Sequence, residues 1–341
     1  MRYILLIALM AIAFSCSDSK TDNNSTKDST NLVSGIDSTQ LGNLDLKYKF
    51  IKGQKITYII KTLSSTSQEL YSDSSVKQKV NQTVEYKVRL TVNDVDSNKS
   101  AKISVLMESI KVDGVINGQH IAYDSKYIQS TQERMMFAQY ESLKNKRFMM
   151  EIKENGEITS ISNVESIVNE LISIQNLQKK ITKEQKLELK NNFTESALRP
   201  LSEQIFRKFP NKKVYKNYSW NEKHNSQFAT FQIENIVTFK IGDVEMAKND
   251  SIVVINAGLS INWKGEQNAK DQGMSFYFYD PVVSGDGIVK FNKTSGLISN
   301  SNTTTNMEMV TDISGVDEKN APFKAKRVDI TKNTNIVTLV N

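Results

Sequence analysis

Residues 80–92 read VNQTVEYKVRLTV, and their side chains alternate in character. Apolar side chains recur on even positions, and polar ones occupy the odd positions between them. A segment of this kind has one face on a core and one face in water, as in an antiparallel sheet. The same alternation recurs at 101–107 and 255–263. The chain is therefore predicted to be built mainly from antiparallel strands.

Local signals mark turns and helices between these strands. Asp113-Gly114 and Asn155-Gly156 are each typical of a hairpin turn. A helical period replaces the alternation at 162–209, where Pro200 suits the first turn of a helix. Three pairs have the spacing of a capping box and so predict helix starts: Ser130 with Glu133, Ser162 with Glu165, and Thr182 with Gln185.

The two β regions resemble each other. A long strand ends at Asp94-Val95 in the first and at Asp243-Val244 in the second. Each region then closes with a strand, a turn containing Gly156 or Gly296, and another strand. This order predicts an internal duplication. The alternative is that any antiparallel protein shows hairpins at similar spacing.

The N-terminus has the features of a bacterial lipoprotein signal. Met1-Arg2 gives a positive start, residues 3–14 are largely apolar, and a small residue precedes the single cysteine, Cys16. The apolar run is too short to span a bilayer as a helix. Such signals imply that lipid is attached to the cysteine sulfur and that the cysteine becomes the new N-terminus. The alternative is an ordinary secretory signal that leaves Cys16 as an unpaired thiol. Ser17 favours the outer membrane by analogy with enterobacterial lipoproteins, in which Asp there retains the protein at the inner membrane.

These patterns predict a mainly β (α+β) fold with two related antiparallel β-sheet units, half-barrel or sandwich-like, and a helical insertion between them. The predicted division is a lipoprotein signal peptide at 1–15, a lipidated Cys16 with a flexible polar tether at 16–43, a first β unit at 44–161, the helical insertion at 162–209 and a second β unit at 210–341.

Part of this order resembles a family of uncharacterised exported lipoproteins, frequent in Bacteroidota and known only as a domain of unknown function. The resemblance covers about residues 44–340. The residues that carry it are Lys52-Gly53-Gln54, Asn155-Gly156-Glu157-Ile158, Tyr218-Ser219-Trp220, Gly287 and Ser295-Gly296-Leu297. Relatives often have Gly where this chain has Tyr218, so that turn is expected to differ. The family has no known activity, and the resemblance therefore implies no functional residue.

Charge and rare residues exclude several function classes. Without residues 1–15 the chain has 43 basic and 38 acidic residues, a net charge of +5. These charges are spread along the sequence and do not indicate nucleic-acid binding. The two histidines, His120 and His224, are 104 positions apart with no metal-ligand spacing or G-x-S-x-G near them. We therefore expect neither a metal or other cofactor nor a catalytic triad.

Four weaker candidates remain, each with a structural alternative. One set is Asp271, Asp280 and Asp286, which either supply the paired carboxylates of a glycosidase or are ordinary turn residues. The run Phe276 to Tyr279 is either a strand with two hydrophobic faces or a wall that contacts sugar or lipid. The third candidate is a basic run that either binds anionic lipid or polysaccharide or is a solvated face. The fourth is a methionine set that either lines an adaptable apolar pocket or fills the core. Their residues are Arg207, Lys208, Lys212, Lys213 and Lys216, and Met135, Met136, Met149 and Met150.

The leading hypothesis is a non-enzymatic lipoprotein, anchored in the outer membrane by lipid on Cys16 and exposed to the periplasm or the cell surface. It would bind or carry an apolar or glycan ligand, or contact an envelope partner. A structural or adhesive surface module is the first alternative, and an envelope glycan hydrolase is the second.

Overall fold

The alternating stretch at 80–92 lies in the second of the strands that make up the fold. A computed structural model describes residues 43–72, 75–228, 231–247, 250–271, 273–316 and 321–340. Its strands are β1 (Lys55–Tyr71), β2 (Ser75–Val95), β3 (Ala101–Ile116), β4 (Gln119–Asp124), β5 (Arg147–Ile152), β6 (Ile158–Ser162), β7 (Ser219–Phe228), β8 (Phe231–Ala247), β9 (Asp250–Lys264), β10 (Asn268–Asp271), β11 (Met274–Phe278), β12 (Val282–Asn292), β13 (Leu297–Val316) and β14 (Pro322–Val340). The signal peptide and almost all of the tether, including Cys16 and Ser17, lie outside the described residues.

All of these strands belong to one antiparallel sheet. The order along it is β6-β5-β3-β2-β1-β14-β13-β12-β9-β8-β7, with β4 beside β3, and β11 joining β10 to β13. The prediction of a mainly β, antiparallel fold is confirmed. The two predicted β units are the two halves of this sheet, joined where β1 pairs with β14 from Thr57–Val340 to Tyr71–Lys326. The C-terminal strand thus sits at the middle of the sheet.

The two halves share a strand order. The series β1-β2-β3-β5-β6 in the first half corresponds to β7-β8-β9-β12-β13 in the second. Register shifts occur at matching places: between Val92 and Asp94 in β2 and between Ile241 and Val244 in β8. A second matching pair lies between Glu151 and Ile152 and between Lys290 and Phe291. Because bulges are specific local features, their repetition supports the duplication.

The sheet has an inner face that carries the core and an outer face in water. Even-numbered residues of β2 and odd-numbered residues of β9 are buried on the inner face, as the alternation predicts. We call the end of the sheet with the turns at 153–157 and 293–296 the lower end. There Phe291 of β12 packs with a cluster of rings from the segments that precede β1 and β7: Tyr48, Phe50, Phe206 and Phe209.

Tyr48 fastens this lower core. Its hydroxyl accepts from the backbone N–H of Arg207 at 2.8 Å and lies 3.2 Å from that residue's carbonyl oxygen, to which it donates. Gly156 packs directly against the Arg207 backbone, because a Cβ on Gly156 would lie 2.2 Å from the Arg207 carbonyl oxygen. A glycine is required at this turn for its φ of +90° and for this close approach.

The helices are α1 (Thr131–Met136), α2 (Ala138–Glu141), α3 (Glu165–Ile174), α4 (Lys183–Phe193) and α5 (Arg199–Ile205), and a π-helical turn (Thr194–Leu198) joins α4 to α5. The capping boxes at Ser130 and Thr182 are confirmed. The box predicted at Ser162 is wrong, since β6 extends to Ser162 and α3 has Val164 at its N-cap. Pro200 lies in the first turn of α5, as predicted.

Of the two predicted hairpins, one is placed correctly. Asn155-Gly156 lies between β5 and β6. Asp113-Gly114 lies inside β3 instead, and the chain turns at Asn117-Gly118, where φ is +49° and +86°. Positive φ at both central residues is what a two-residue hairpin turn needs, and Asn117-Gly118 supplies it where the chain reverses. None of the helices in the described ranges is long and apolar enough to cross a membrane.

Candidate functional site

Five side chains form a straight row across the outer face, at the end of the sheet opposite the lower end. The register places each directly beside the next on five adjacent strands. We call this set the tyrosine row: Tyr71 on β1, Lys326 on β14, Asp312 on β13, Tyr277 on β11 and Asn268 on β10. Since neighbouring strands lie about 4.8 Å apart, the row is about 20 Å long.

The tyrosine row lines an open groove of about 720 Å³. Ser275, Ser314 and Lys324 line it one step further along the strands. Most ligand pockets combine aromatic surface with a few well-placed polar groups, and this groove has both.

The strand β11 positions the aromatic side chains by simple alternation. Phe276 and Phe278 turn inward and pack with Trp263, Ala269 and Met309. Tyr277 and Tyr279 point outward, and 38% and 40% of their surfaces are exposed. The phenylalanines of the aromatic run thus belong to the core, and its tyrosines form an exposed aromatic surface.

Hydrogen bonds hold the two tyrosines in place. The Tyr279 hydroxyl donates to Asp312 Oδ2 at 2.8 Å, and the Tyr277 hydroxyl donates to Gln267 Oε1 at 2.9 Å. The rings meet edge to face with centroids 5.0 Å apart. Lys326 Nζ lies 5.6 Å from the centre of the Tyr279 ring, within cation–π range. A ligand would therefore meet aromatic surface that is already ordered.

Asp312 keeps Tyr279, beside the groove, as a hydrogen-bond donor. The hydrogen bond to Asp312, aided by the negative charge of that carboxylate, raises the pKa of Tyr279 above its usual value. Asp312 is the one carboxylate among the residues that line the groove in the described part of the chain. Glycoside hydrolysis uses two carboxyl groups about 5–9 Å apart. The described lining of the groove thus supplies one of the two carboxyl groups of such a pair.

The three aspartates predicted as a carboxylate set lie on separate elements. Asp280 follows β11 and accepts a hydrogen bond from Gln267 at 2.8 Å. Asp286 lies within β12, opposite Gly258 and Thr304. Asp271 ends β10, opposite Met274. Through Gln267, Asp280 supports the groove indirectly.

The two histidines lie in different halves of the sheet. His120 is on β4 and its Nε2 lies 3.0 Å from Asp113 Oδ2 on the exposed surface. His224 is on β7, the last strand of the other half, opposite Asn235. Among the described residues no group of three or more His, Cys, Asp or Glu side chains is arranged to hold a metal ion.

The predicted basic run does not form one patch. Arg207 is buried, Lys208 lies 3.7 Å from Glu222, and Lys216 lies 2.5 Å from Asp243. Lys212 lies over the ring of Tyr218, and Lys213 is exposed. The predicted methionine set is divided too: Met150 is in the core, whereas Met135 and Met136 are on exposed parts of α1.

The sequence did not indicate most of the residues of the tyrosine row. Tyr277 was singled out because it belongs to an aromatic run. Tyr71, Asp312 and Lys326 carried no signal, since Tyr71 is 255 positions from its neighbour Lys326 and neither lies in a motif. Only the pairing of β1 with β14 brings them together.

A comparison with protein families identifies the chain. A model described as "Family of unknown function (DUF6263)" matches residues 98–298. The chain belongs to this family. The match covers parts of both halves of the sheet and the helical segment between them, in agreement with the predicted resemblance to a domain of unknown function.

Comparisons with individual proteins add little about this member of DUF6263. No curated protein matches it. Lipovitellin, in a structure concerned with its lipid–protein interactions, is 10% identical with a TM-score of 0.41; the match covers 86% of this chain and 26% of lipovitellin. The chain thus spans about a quarter of lipovitellin's length.

Outer-membrane channels from two pseudomonads give similar coverage at lower scores. A channel of Pseudomonas putida F1 is 9% identical, with a TM-score of 0.21 and coverage of 87% of this chain and 98% of the channel. OccK2 of Pseudomonas aeruginosa, solved with glucuronate, is 5% identical, with a TM-score of 0.21 and coverage of 82% and 98%. At TM-scores below 0.5, the ligands of these proteins say nothing about this chain.

Proposed function

We propose that this DUF6263 member is a non-enzymatic lipoprotein of the outer membrane, anchored through lipid on Cys16, whose body binds a glycan along the tyrosine row. The observation that carries the binding role is the ordered row of two tyrosines, a lysine, an aspartate and an asparagine along one open groove. The anchor rests on the sequence of residues 1–17.

The groove chemistry favours a glycan over an acyl chain. A sugar ring presents an apolar C–H face, which packs on exposed tyrosine rings, and hydroxyl groups, which bond to carboxylate, ammonium and amide groups. The groove supplies all of these on adjacent strands. An acyl chain would displace water from Asp312 and Lys326 and offer no hydrogen bond in return, leaving Asp312 with its bond from Tyr279. The cost would be several kcal/mol, on the order of the penalty for desolvating a charge.

Binding should be tested on residues 16–341 carrying Cys16→Ser, which keeps every residue that the structure describes. An array of neutral and acidic oligosaccharides identifies the ligand, and titration calorimetry measures its affinity. We expect Tyr277→Ala to weaken binding about tenfold, which corresponds to the loss of about 1.4 kcal/mol of aromatic contact. Tyr127→Ala is the matched control, because Tyr127 is an exposed tyrosine outside the groove.

Three results would overturn parts of this proposal. Failure to bind any glycan, or equal losses from both tyrosine variants, would remove the tyrosine row as the site. Lipid found by native mass spectrometry in the purified protein would favour the apolar-ligand version. Labelling cells with palmitate tests the anchor separately: the wild-type chain should become labelled, and the Cys16→Ser chain should not.

A further inference from the structure

The lower end of the sheet combines exposed apolar side chains with lysines. Ile51 is 68% exposed, Tyr215 is 56% exposed and Met246 is 75% exposed. Each of these exposes more than half of its surface to solvent. Single exposed apolar residues need no explanation, but three at one end of the molecule do.

A chain of contacts places these residues at the same end. Met246 pairs with Ser251, and the Ser251 carbonyl accepts a hydrogen bond from the Lys293 backbone N–H at 2.8 Å. Next to Lys293, the carbonyl of Thr294 accepts from Lys49 Nζ at 3.1 Å, two residues before Ile51.

Tyr215 joins this end through the segment that follows α5. Its ring packs edge to face with Tyr218, over which Lys212 lies. Lys213 precedes Val214, which pairs with Leu44 through two backbone hydrogen bonds of 2.8 and 2.9 Å.

The lysines here exceed the carboxylates that neutralise them. Lys47, Lys52 and Lys216 are paired with Glu154, Asp94 and Asp243. Within the described ranges, Lys49, Lys212, Lys213 and Lys293 have no salt-bridge partner. The nearby acidic groups outside ion pairs are Asp96, which caps the turn at Ser100, and Asp250. The lower end therefore carries a net positive charge beside its exposed apolar side chains.

The same end is where the preceding chain joins the body. Leu44 is held at the lower end by Val214, and residues before Asn43 lead back to Cys16. Residues 17–43, which separate Cys16 from Leu44, number 27. A body on so short a connection is held close to the membrane at an effectively high local concentration. The end nearest the connection would meet the membrane first.

We infer that the lower end docks on an anionic lipid surface, with Ile51, Tyr215 and Met246 entering the headgroup region and Lys49, Lys212, Lys213 and Lys293 contacting lipid phosphates. Interfacial binding of this kind adds apolar burial to electrostatic attraction. The inference rests on the proposed function only for the anchor at Cys16. It leaves the tyrosine row, at the opposite end of the sheet, facing away from the membrane and open to a glycan.

The test uses residues 16–341 with Cys16→Ser, so that no lipid on the protein contributes. Co-sedimentation with vesicles of equimolar phosphatidylglycerol and phosphatidylcholine should show binding that weakens as salt is added. Vesicles of phosphatidylcholine alone should bind far less. Lys212→Glu with Lys213→Glu should weaken binding to the anionic vesicles by tenfold or more.

The matched control reverses two other adjacent exposed lysines, Lys179 and Lys180, which lie between α3 and α4. This control has the same net charge as the test variant and should bind like the parent chain. Met246→Ser should weaken binding at all salt concentrations, whereas Ile128→Ser, at a fully exposed isoleucine elsewhere, should not. Unchanged circular dichroism would show that each variant is folded.

No binding to anionic vesicles would overturn the inference, and so would equal losses from the two lysine pairs. Either result would leave glycan binding and palmitate labelling unaffected. Conversely, vesicle binding in a chain that fails to bind glycan or to become labelled would support the docking surface and remove the proposed function.

Discussion

At the scale of single residues, the lower core depends on one glycine. Gly156 has φ +90°, and a Cβ there would lie 2.2 Å from the Arg207 carbonyl oxygen and 2.5 Å from Tyr48 Cε2. We expect Gly156→Ala to lower the free energy of unfolding by about 3 kcal/mol, from backbone strain together with overpacking. Urea unfolding followed by circular dichroism measures the change.

A second glycine separates these two causes. Gly118 has a similar φ of +86°, but a Cβ there would meet nothing within 4 Å. Gly118→Ala should therefore cost only the strain, about 1 kcal/mol. Equal losses from the two substitutions would mean that the contact between Gly156, Tyr48 and Arg207 contributes nothing.

At the scale of elements, the β12–β13 turn is set by the side chain of Asn292. Its Oδ1 accepts from the backbone N–H groups of Thr294 and Ser295 at 2.9 and 3.0 Å, and the side chain is almost fully buried. Asn292→Ala should lower the free energy of unfolding by about 1–2 kcal/mol, because both N–H groups lose their acceptor.

Asn300→Ala is the matched control for that turn. Asn300 is in the neighbouring strand β13, where its side chain makes one exposed contact of 3.4 Å with Thr338. Its replacement should change the free energy of unfolding by less than about 0.5 kcal/mol. A comparable loss at both positions in urea unfolding would argue against the turn as the cause.

Elements are also the scale at which the sequence was most informative. The alternation at 80–92 and the capping boxes at Ser130 and Thr182 report on neighbours within a few residues, and these predictions are confirmed. The box at Ser162 failed because Asn163 adopts a positive φ of 60°, which turns the chain before the helix begins. A pattern of a few residues does not show where the preceding strand ends.

The candidate site was much less predictable. The Tyr277 side chain could be assigned to a face of β11 from alternation alone. Its partners in the row depend on which strands pair, and the decisive pairing joins β1 to β14 across almost the whole chain. Pairing over such distances depends on the summed packing of both faces of the sheet. The spacing of residues along the sequence does not indicate it.

At the scale of the whole molecule, the single sheet raises the question of whether its halves unfold together. Four buried tyrosines lie in the first half: Tyr48, Tyr58, Tyr123 and Tyr140. Burial is the main cause that raises the pKa of each of them, and in Tyr123 a hydrogen bond to Glu141 adds to it. Both tryptophans, Trp220 and Trp263, lie in the second half, on β7 and β9.

This distribution predicts which half of the sheet alkaline pH destabilises. A tyrosine whose pKa is raised on folding has no effect on stability below its unfolded value of about 10, and disfavours the folded state as the pH rises above that value. These tyrosines should therefore leave stability unchanged from neutral pH to about pH 10 and lower it at higher pH, with the destabilisation concentrated in the first half. The buried tyrosines should ionise only as that half unfolds.

The four buried tyrosines report the first half through the part of the tyrosinate absorbance that appears only on unfolding, and the wavelength of maximum tryptophan emission reports the second. The β1–β14 ladder runs through fifteen residue pairs, so loss of β1 would expose the edge of β14 and with it the second half of the sheet. We expect the two signals to change at the same pH in one cooperative transition. If that part of the absorbance appears while the emission maximum stays at its native wavelength, the halves are independent units and the shared sheet does not couple them.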